Sequence, residues 1–276
     1  MLRYCDRHAE PTAQQKDVLL RFAAVVKTEL EASGAPLALI ARSGLDLGRL
    51  GLRYSHSGVS LRRNPEAPWA VRQLYFACDE KRPRLFDQGM AGFVMGVDDA
   101  NLGYVSLVFL PTAAAAPVEA LALDDRAALG LLGADYSANA YPFSTRFQNC
   151  NQWLAELLAG AWGAGAEGGA RAAAQAWLRR NGYAPTIIDP GALHLMALTP
   201  FLPWIHNADH PTAEIERRVY SVSMPASIEA FVHARLPAAR RVELCHDTQR
   251  IVVHRGWDDL APGCVPGSGD EVIALD

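Results

Sequence analysis

Short strand-forming segments that follow a single amphipathic helix constrain the fold of this chain most. Four segments with strand patterning lie close together in sequence: Pro36–Ala41, Tyr54–Arg62, Trp69–Cys78 and Tyr104–Leu110. Before them, apolar residues from Val18 to Leu30 recur at helical spacing, after a Thr12 cap and before a Ser33-Gly34 stop. One helix followed by several neighbouring strands predicts a mixed α+β core.

The remainder of the chain has a helical pattern first and a pattern of short strands later. Helices are predicted over Asp124–Leu132, from Cys150 onward, and over Ala172–Arg180. Short strands are predicted at Val219–Ser223, Arg241–Cys245 and Arg250–His254.

Composition places the chain among soluble globular proteins. It has 276 residues, of which 50% are hydrophobic and 20% charged, and its net charge is −4. These values predict one large domain or two small ones and no general attraction to nucleic acid or anionic membrane. The longest apolar stretch, Leu102–Leu123, contains two prolines and Glu119, so no transmembrane segment is expected.

Five cysteines bear on the cellular compartment. In a reducing cytoplasm they would be unrelated buried thiols, whereas in an exported protein they would form two bridges and leave one thiol. We expect a bridge between Cys245 and Cys264, which a turn-rich segment separates. Among the many pairings that five cysteines allow, Cys5 with Cys78 would be the second bridge, leaving Cys150 as the thiol. An exported, periplasmic protein whose signal has been removed is therefore the first interpretation, and a cytoplasmic one is the alternative.

Cys150 and His56 form the candidate catalytic pair. A thiol in the first turn of a helix lies near unpaired amides and the positive end of the helix dipole, which favour the thiolate. A neighbouring imidazole would complete this activation, and the same amides would hold an oxyanion. Gly58 follows His56 on the same strand face and removes bulk there. A single cysteine and a single histidine are by themselves more often structural.

Two segments carry a resemblance to known proteins. Residues 42–58, which end in Tyr54-Ser-His-Ser-Gly58, resemble the opening of the circularly permuted NlpC-type, papain-like enzymes, whose catalytic histidine precedes the cysteine. Phe147-Gln-Asn-Cys150 and the residues after it resemble the helix start that carries their nucleophile. The whole run, including residues 68–80 and 85–93, resembles the bacterial family named domain of unknown function 2145.

This resemblance implies a permuted papain-like core in which an antiparallel sheet packs on helices. The implied organisation is an N-terminal helix (1–34), a catalytic core (35–165) and a C-terminal α/β extension (166–276). A third polar residue should orient the imidazole from the strand after that of His56. The acid or histidine of some relatives is missing there, and Gln73 is the first candidate and Tyr75 the second.

Further residues beside the pair are expected to shape a substrate pocket, although ordinary packing is the alternative for each. They are Tyr54, Ser55, Asn149, Asn151 and Trp153.

A second constellation, His206-Asn-Ala-Asp209-His210, has two histidines four residues apart. Pro203 and Pro211 flank it, so a loop is expected rather than a helical metal site. We predict no metal, no cofactor and no nucleic-acid partner, since no phosphate loop, dinucleotide motif or nucleic-acid module is present.

The resulting functional hypothesis is a thiol amidase or peptidase acting on a peptide or amide substrate, with cell-wall peptide implied by the resemblance. The alternatives are an acyltransferase or lipid amidase of the same group, and a non-catalytic protein that binds a ligand in its groove. A cytoplasmic structural protein is a more distant alternative. The sequence does not predict the oligomeric state.

Overall fold

The computed structural model describes residues 10–165, 169–189 and 204–275 of the chain. These residues form two compact units, and each unit combines segments that are distant in sequence. The first unit contains the described residues of Met1–Arg72, Asp87–Ala115 and Leu236–Asp276. The second contains those of Gln73–Phe86 and Ala116–Arg235. The domain boundaries predicted after residues 34 and 165 stay predictions.

The first helix, α1 (Ala13–Ala32), confirms the helix predicted from the apolar spacing. Thr12 and Gln15 form a reciprocal capping box at its start, so two amides that the helix leaves unbonded are satisfied. Its buried face contains Leu19, Phe22, Ala23, Val26 and Leu30. Gly34 follows with φ of +70°, a conformation that suits glycine at a helix end.

A large antiparallel sheet accompanies this helix. Within the described residues it has eight strands: β1 (Leu37–Arg42), β2 (His56–Leu61), β3 (Ala70–Ala77), β4 (Arg82–Gln88), β5 (Gly103–Phe109), β8 (Arg240–His246), β9 (Arg250–Arg255) and β10 (Glu271–Ala274). Their spatial order is β10-β9-β8-β5-β1-β2-β3-β4. Every pairing from β10 to β3 is antiparallel. The α+β class is confirmed, whereas the permuted papain-like topology stays a prediction.

The core of the first unit lies between this sheet and two helices. Helix α2 (Met90–Met95) packs on α1, and one buried cluster joins α1 side chains to residues of β1, β5, β8 and β9. Phe22, Ile40 and Leu107 belong to it and are 0–1% exposed. Burial of several such side chains, each contributing about 1.5–3 kcal/mol, is the main source of stability here.

The strands predicted near the C-terminus extend the same sheet. β5 pairs along its whole length with β8, from Gly103 opposite His246 to Phe109 opposite Arg240. Strand β8 in turn pairs with β9, and β9 with β10. Residues 240–274 therefore supply three of the eight described strands, and the predicted strands Arg241–Cys245 and Arg250–His254 are confirmed.

The second unit is mainly helical. It contains most of α3 (Thr112–Leu123), then α4 (Asp125–Gly130), α5 (Cys150–Ala161), α6 (Ala170–Arg180), α7 (Thr212–Arg217) and α8 (Pro225–Arg235), and a small sheet of β6 (Thr186–Ile188) and β7 (Tyr220–Val222). Aromatic rings join its helices: Trp177 lies 6.4 Å from Trp162 and 6.2 Å from Phe231, between ring centroids. The predicted helices at Cys150 and before Asn181 are confirmed.

Helix α3 contains Pro117 within its length. Proline has no N–H to donate to the preceding turn, and this normally ends or bends a helix. Ala113–Ala116 lie immediately before it, and alanine has the highest helix propensity, which favours the helix on that side.

The predicted disulfide between Cys245 and Cys264 is present, with a Cα–Cα distance of 5.6 Å. It ties the end of β8 to the segment after β9, in a buried cluster with Tyr104 and Leu260. The backbone N–H of Cys264 donates to the Tyr104 hydroxyl at 3.0 Å. Cys78 is also disulfide-bonded, while the predicted partner Cys5 lies outside the described residues.

We predict that replacing both Cys245 and Cys264 by alanine lowers the free energy of unfolding by about 3 kcal/mol, because the open chain regains loop entropy. Urea denaturation of the double variant and the parent measures this difference. Cys150→Ser, which leaves the bridge in place, is the control. An unchanged midpoint in the double variant would contradict a stabilising bridge.

His246 is a histidine buried in the core of the first unit. Its ring lies 4.7 Å from that of Phe22, and a Cβ on Gly103 would lie 2.6 Å from its Nε2, so only glycine fits opposite it. Burial lowers the pKa of His246, against the opposing effect of nearby Asp247 and Asp99. The folded protein therefore resists protonation of this ring.

We predict that stability declines as the pH falls below about 6.5, the usual histidine pKa. Below that pH the His246 imidazole binds a proton in the unfolded chain, whereas the buried imidazole of the folded protein resists protonation. Acid therefore favours unfolding. Denaturant midpoints between about pH 7 and pH 5 should fall less for His246→Leu than for the parent. The exposed His233→Leu is the control and should keep the parental slope. Equal slopes in all three proteins would assign the acid sensitivity to other groups.

Among the helices in the described parts of the chain, none combines the length and the apolar character that a membrane crossing requires.

Candidate functional site

Cys150 is the first residue of α5 and carries a thiol rather than a disulfide. Asn149 caps this helix: its side-chain oxygen accepts from the Gln152 N–H at 2.7 Å. The Asn149 amide donates to the carbonyls of Ala138 at 3.1 Å and Ser223 at 3.4 Å. The cap is thus held from two sides, and the Cys150 thiol belongs to a turn whose dipole favours negative charge.

Helix α5 lies inside the second unit, since every residue from Cys150 to Ala159 is buried. Cys150 itself is 6% exposed. Two predicted pocket residues follow it: Asn151, 2% exposed, whose amide contacts the Met224 sulfur at 3.9 Å, and Trp153, completely buried with its indole N–H bonded to the Ala128 carbonyl. Trp153 thus packs in the interior, and a pocket role for it or Asn151 stays a prediction.

A buried carboxylate organises the segment before Cys150. Glu156 is completely buried and accepts hydrogen bonds from Arg171 (2.9 and 3.2 Å), Gln148 (2.6 Å), Gln175 (2.7 Å) and Gln152 (3.0 Å). Burial raises the pKa of Glu156, whereas the Arg171 guanidinium and the glutamine amides oppose this rise. The four donors compensate for the cost of removing the carboxylate from water.

This Glu156 network fixes the backbone on the N-terminal side of α5. Arg171 also donates to the carbonyls of Thr145 at 2.7 Å and Phe147 at 2.9 Å. The Gln148 side-chain oxygen accepts a hydrogen bond from the Gly133 N–H at 2.7 Å. Any residue larger than glycine at position 133 would place its Cβ only 2.9 Å from the Arg171 guanidinium. Glycine is therefore required at 133, and the residues leading to Cys150 are held at several points.

We predict that Arg171→Met costs about 3 kcal/mol or more of unfolding free energy, because it leaves a buried carboxylate without its cation. Combining it with Glu156→Gln should cost less than the sum of the two single changes, as chemical denaturation of all four proteins would show. Arg21→Met removes an exposed ion pair with Asp17 (2.9 Å) and is the control, with an expected loss below about 1 kcal/mol. Strict additivity at Glu156 and Arg171 would contradict the coupling.

His56 lies in the first unit, where it is the first residue of β2 and pairs with Arg42 of β1. It is partly exposed, and its ring centroid is 6.1 Å from that of Phe93. Gly58, two residues later, pairs with Ile40. The predicted strand position of the histidine is confirmed.

The two residues before His56 are tied to the surrounding loops. Ser55 accepts the Leu45 N–H at 3.0 Å on its hydroxyl oxygen. Tyr54 is buried and its hydroxyl donates to Glu243. Glu243 is completely buried and also accepts from Arg53 at 2.6 Å and from the Leu260 N–H at 2.7 Å. These contacts anchor the entry to β2, while a pocket role for Tyr54 and Ser55 stays a prediction.

The two candidates for the orienting residue differ in exposure. Gln73 and Tyr75 both lie on β3, in the part that belongs to the second unit. Gln73 is 2% exposed, whereas Tyr75 is 41% exposed with its ring 6.3 Å from that of Phe86. A buried amide suits an orienting hydrogen bond better than an exposed phenol.

The predicted catalytic residues are divided between the two units. His56 belongs to the first unit, and Cys150, Gln73 and Tyr75 belong to the second. Their pairing therefore stays a prediction, based on the chemistry of each residue in its own unit.

The segment His206–His210 is a loop, as the flanking prolines predicted. The His206 ring stacks on Phe147 at 4.7 Å, and both ring nitrogens of His210 have hydrogen-bonding partners, in Glu214 at 2.9 Å and the Asn139 carbonyl at 2.7 Å. Across residues 10–165, 169–189 and 204–275, no three His, Cys, Asp or Glu side chains are grouped as a metal site.

Sequence reasoning missed the buried glutamates Glu156 and Glu243. A signal existed for Glu156, because Gln152 and Glu156, and likewise Arg171 and Gln175, are four residues apart and share a helix face. Glu243 alternates with Val242 and Leu244 along a predicted strand. The alternation assigns Glu243 to the opposite face and does not indicate that this face is also buried.

Comparison with known proteins matches the chain to a bacterial family. Residues 29–232 match the sequence model of a family described as an uncharacterised protein conserved in bacteria, domain of unknown function 2145. The match covers well over half of the chain and includes His56, Gln73, Tyr75 and Cys150. No curated protein and no solved structure matches the chain.

Proposed function

The chain belongs to the bacterial family domain of unknown function 2145, and we propose that it is a papain-like thiol hydrolase acting on an amide bond. Cys150 is the nucleophile and His56 the general base. The proposal draws on the similarity of two segments to the permuted NlpC-type enzymes, in which the histidine also precedes the cysteine in sequence.

The observation that carries the proposal is the position of Cys150. It is a reduced thiol in the first turn of a capped twelve-residue helix, while Cys78, Cys245 and Cys264 are all in disulfides. The helix dipole and the first-turn amides stabilise a thiolate and then the oxyanion of a tetrahedral intermediate. The Glu156 network holds this helix start in one arrangement, which is the pre-organisation that such stabilisation requires.

The chemistry follows in two steps. His56 takes the thiol proton, the resulting Cys150 thiolate attacks the amide carbonyl carbon through Sγ, and His56 then returns that proton to the leaving amine. A water molecule, deprotonated by His56, then attacks the thioester and releases a carboxylic acid and the regenerated thiol. Gln73 orients the imidazole, and its burial favours it over Tyr75 for this role.

The proposed substrate is a peptide amide of the bacterial cell wall, and the proposed location is the periplasm. The Cys245–Cys264 bridge supports export, because disulfides persist in oxidising compartments and are rare in the cytoplasm. An acyl transfer or lipid-amide cleavage would use the same thiol chemistry with a different acceptor or acyl group.

One observation favours a second candidate function, a non-catalytic protein that binds a ligand. Cys150 is only 6% exposed, and buried cysteines are commonly inert packing residues. The thiol pKa distinguishes the two functions, because only an activated nucleophile has a strongly lowered value.

We predict that Cys150 titrates in the range of roughly 3.5–7.5, below the usual thiol value of about 8.5. Iodoacetamide should therefore modify it at about pH 6, where ordinary thiols are protonated. His56→Ala should abolish this low-pH reaction, because a protonated imidazole beside the sulfur favours the thiolate. Reactivity at about pH 9, where thiols ionise unaided, should change little. Mass spectrometry of the alkylated peptide measures both rates.

Two variants serve as controls for this titration. Gln73→Ala should weaken the low-pH reaction if Gln73 orients His56, and Tyr75→Phe should not.

Cys150→Ser should keep the melting temperature of the parent and lose amidase activity on cell-wall peptides. If Cys150 reacts at low pH no faster than a cysteine peptide, the hydrolase proposal fails and the ligand-binding function replaces it.

A further inference from the structure

The second unit contains a surface pocket of about 540 Å³, within the size range of small-molecule sites. It lies between the loop before Cys150, helix α6 and the loop before α7. The lining residues that carry the argument are Tyr141, Phe143, Ala176, Arg179 and Asp209. Cys150 does not line the pocket, which is therefore a different site from that of the proposed nucleophile.

The accessible charge in this pocket is positive. Arg179, in the last turn of α6, is exposed and lines the pocket. Within the described parts of the chain, its guanidinium has neither a carboxylate partner nor a hydrogen-bond acceptor. Asp209 is the one acid among the described lining residues, and its side chain is 0% exposed, so a ligand cannot reach its carboxylate. A reachable cation without a reachable anion favours an anionic ligand.

An aromatic ring prepares the Arg179 guanidinium for such a ligand. The guanidinium carbon lies 4.5 Å from the centre of the Phe143 ring, which also lines the pocket. Stacking on a ring leaves the N–H groups at the edge of the guanidinium, where two of them match the two oxygens of a carboxylate. The contact also restricts the side chain before binding, so less entropy is lost when the ligand arrives.

The wall beside Arg179 offers apolar surface. Tyr141 and Phe143 are partly exposed, and their ring centroids lie 5.8 Å apart in an edge-on arrangement. Ala176, three residues before Arg179 on the same face of α6, contributes only a methyl group and leaves space beside the rings. Apolar surface next to a cation favours a ligand whose carboxylate is attached to an apolar body.

A second arginine adds to the positive charge near the pocket. Arg146 follows the lining residues Ser144 and Thr145, and it donates to the Ala208 carbonyl at 3.2 Å, next to Asp209. Its charge opposes the effect of burial, which raises the pKa of Asp209. Arg146 therefore offsets part of the repulsion between the buried Asp209 carboxylate and an anion in the pocket.

The Glu156 network holds the pocket wall in place. Gln175 donates to the Ser144 carbonyl at 3.0 Å and to Glu156 at 2.7 Å, and Arg171 donates to the Thr145 carbonyl at 2.7 Å. A pre-formed wall loses little conformational entropy when a ligand binds.

We propose that this pocket binds a small organic carboxylate with an aromatic or other apolar body. The carboxylate pairs with Arg179, and the body packs against Tyr141 and Phe143. A free organic acid and the C-terminal residue of a peptide share this chemistry. The site is independent of the proposed hydrolase function, so either can fail alone.

Isothermal titration calorimetry of the full chain with matched probes tests the proposal. Phenylacetate carries a ring and a carboxylate, phenylacetamide replaces the charge by a neutral amide, acetate lacks the ring, and phenethylamine carries a positive charge. We expect phenylacetate to bind about tenfold or more tightly than phenylacetamide, because its hydrogen bonds to the guanidinium are charge-assisted. Acetate should bind more weakly than phenylacetate, and phenethylamine should not bind.

A peptide probe identifies the source of the carboxylate. N-acetyl-L-alanyl-L-phenylalanine ends in the same ring and carboxylate as phenylacetate. Tighter binding of this peptide would support a peptide C-terminus as the ligand, and weaker binding would support a free organic acid.

Three variants at exposed or partly exposed positions of α6 locate the site. Arg179→Gln should remove the preference for phenylacetate over phenylacetamide. Arg180→Gln removes the same charge from the next residue, outside the pocket lining, and should leave that preference unchanged. Ala176→Phe places a ring in the pocket and should weaken the binding of both probes. The melting temperature of each variant shows that it is folded.

No heat of binding for phenylacetate at millimolar concentration would overturn the proposal, and so would equal affinities of the parent for phenylacetate and phenylacetamide. An equal loss of preference in Arg179→Gln and Arg180→Gln would also overturn it, because the selectivity would then come from general positive charge and not from the pocket.

Discussion

A carboxylate that is buried without water must be surrounded by donors, and in the second unit Glu156 imposes this requirement on its neighbours. Arg171 and three glutamine amides converge on it. Two of these donors, Arg171 and Gln175, also donate hydrogen bonds to the backbone carbonyls of residues 144, 145 and 147. The start of α5, and with it the Cys150 thiol, is therefore positioned by the ion pair of Glu156 with Arg171. Glu156 lies six residues after Cys150 on the same helix.

The first unit uses the same device at Glu243. This buried carboxylate accepts from Arg53, Tyr54 and the Leu260 backbone, and so connects the segment before β2 with the segment before Cys264. Leu260 and Cys264 lie in the buried cluster of the disulfide. Each residue of the proposed catalytic pair is thus close in sequence to a segment anchored on a buried glutamate.

We infer that buried carboxylates of this kind contribute more to the specificity of the fold than to its stability. The desolvation of each charge offsets much of the attraction between the partners, so a well-packed apolar core would be about as stable. An apolar core would not specify which loop lies where, whereas a carboxylate with four donors accepts only one arrangement.

The sequence alone determined the elements whose patterning is local. Spacing, caps and turns predict helix α1, four strands of the sheet before residue 110 and two near its C-terminal end. They also predict the helix start at Cys150 and the Cys245–Cys264 bridge. Helix α3 was not predicted from the sequence, and it contains Pro117, a residue type that normally ends or bends a helix. Only the tertiary structure decided that residues 240–274 extend the N-terminal sheet, and that Glu156, Glu243 and Asp209 lie buried. The pairing of β5 with β8 and the contacts of Glu243 with Arg53 and Tyr54 join residues more than a hundred positions apart, and no local pattern records which of them meet.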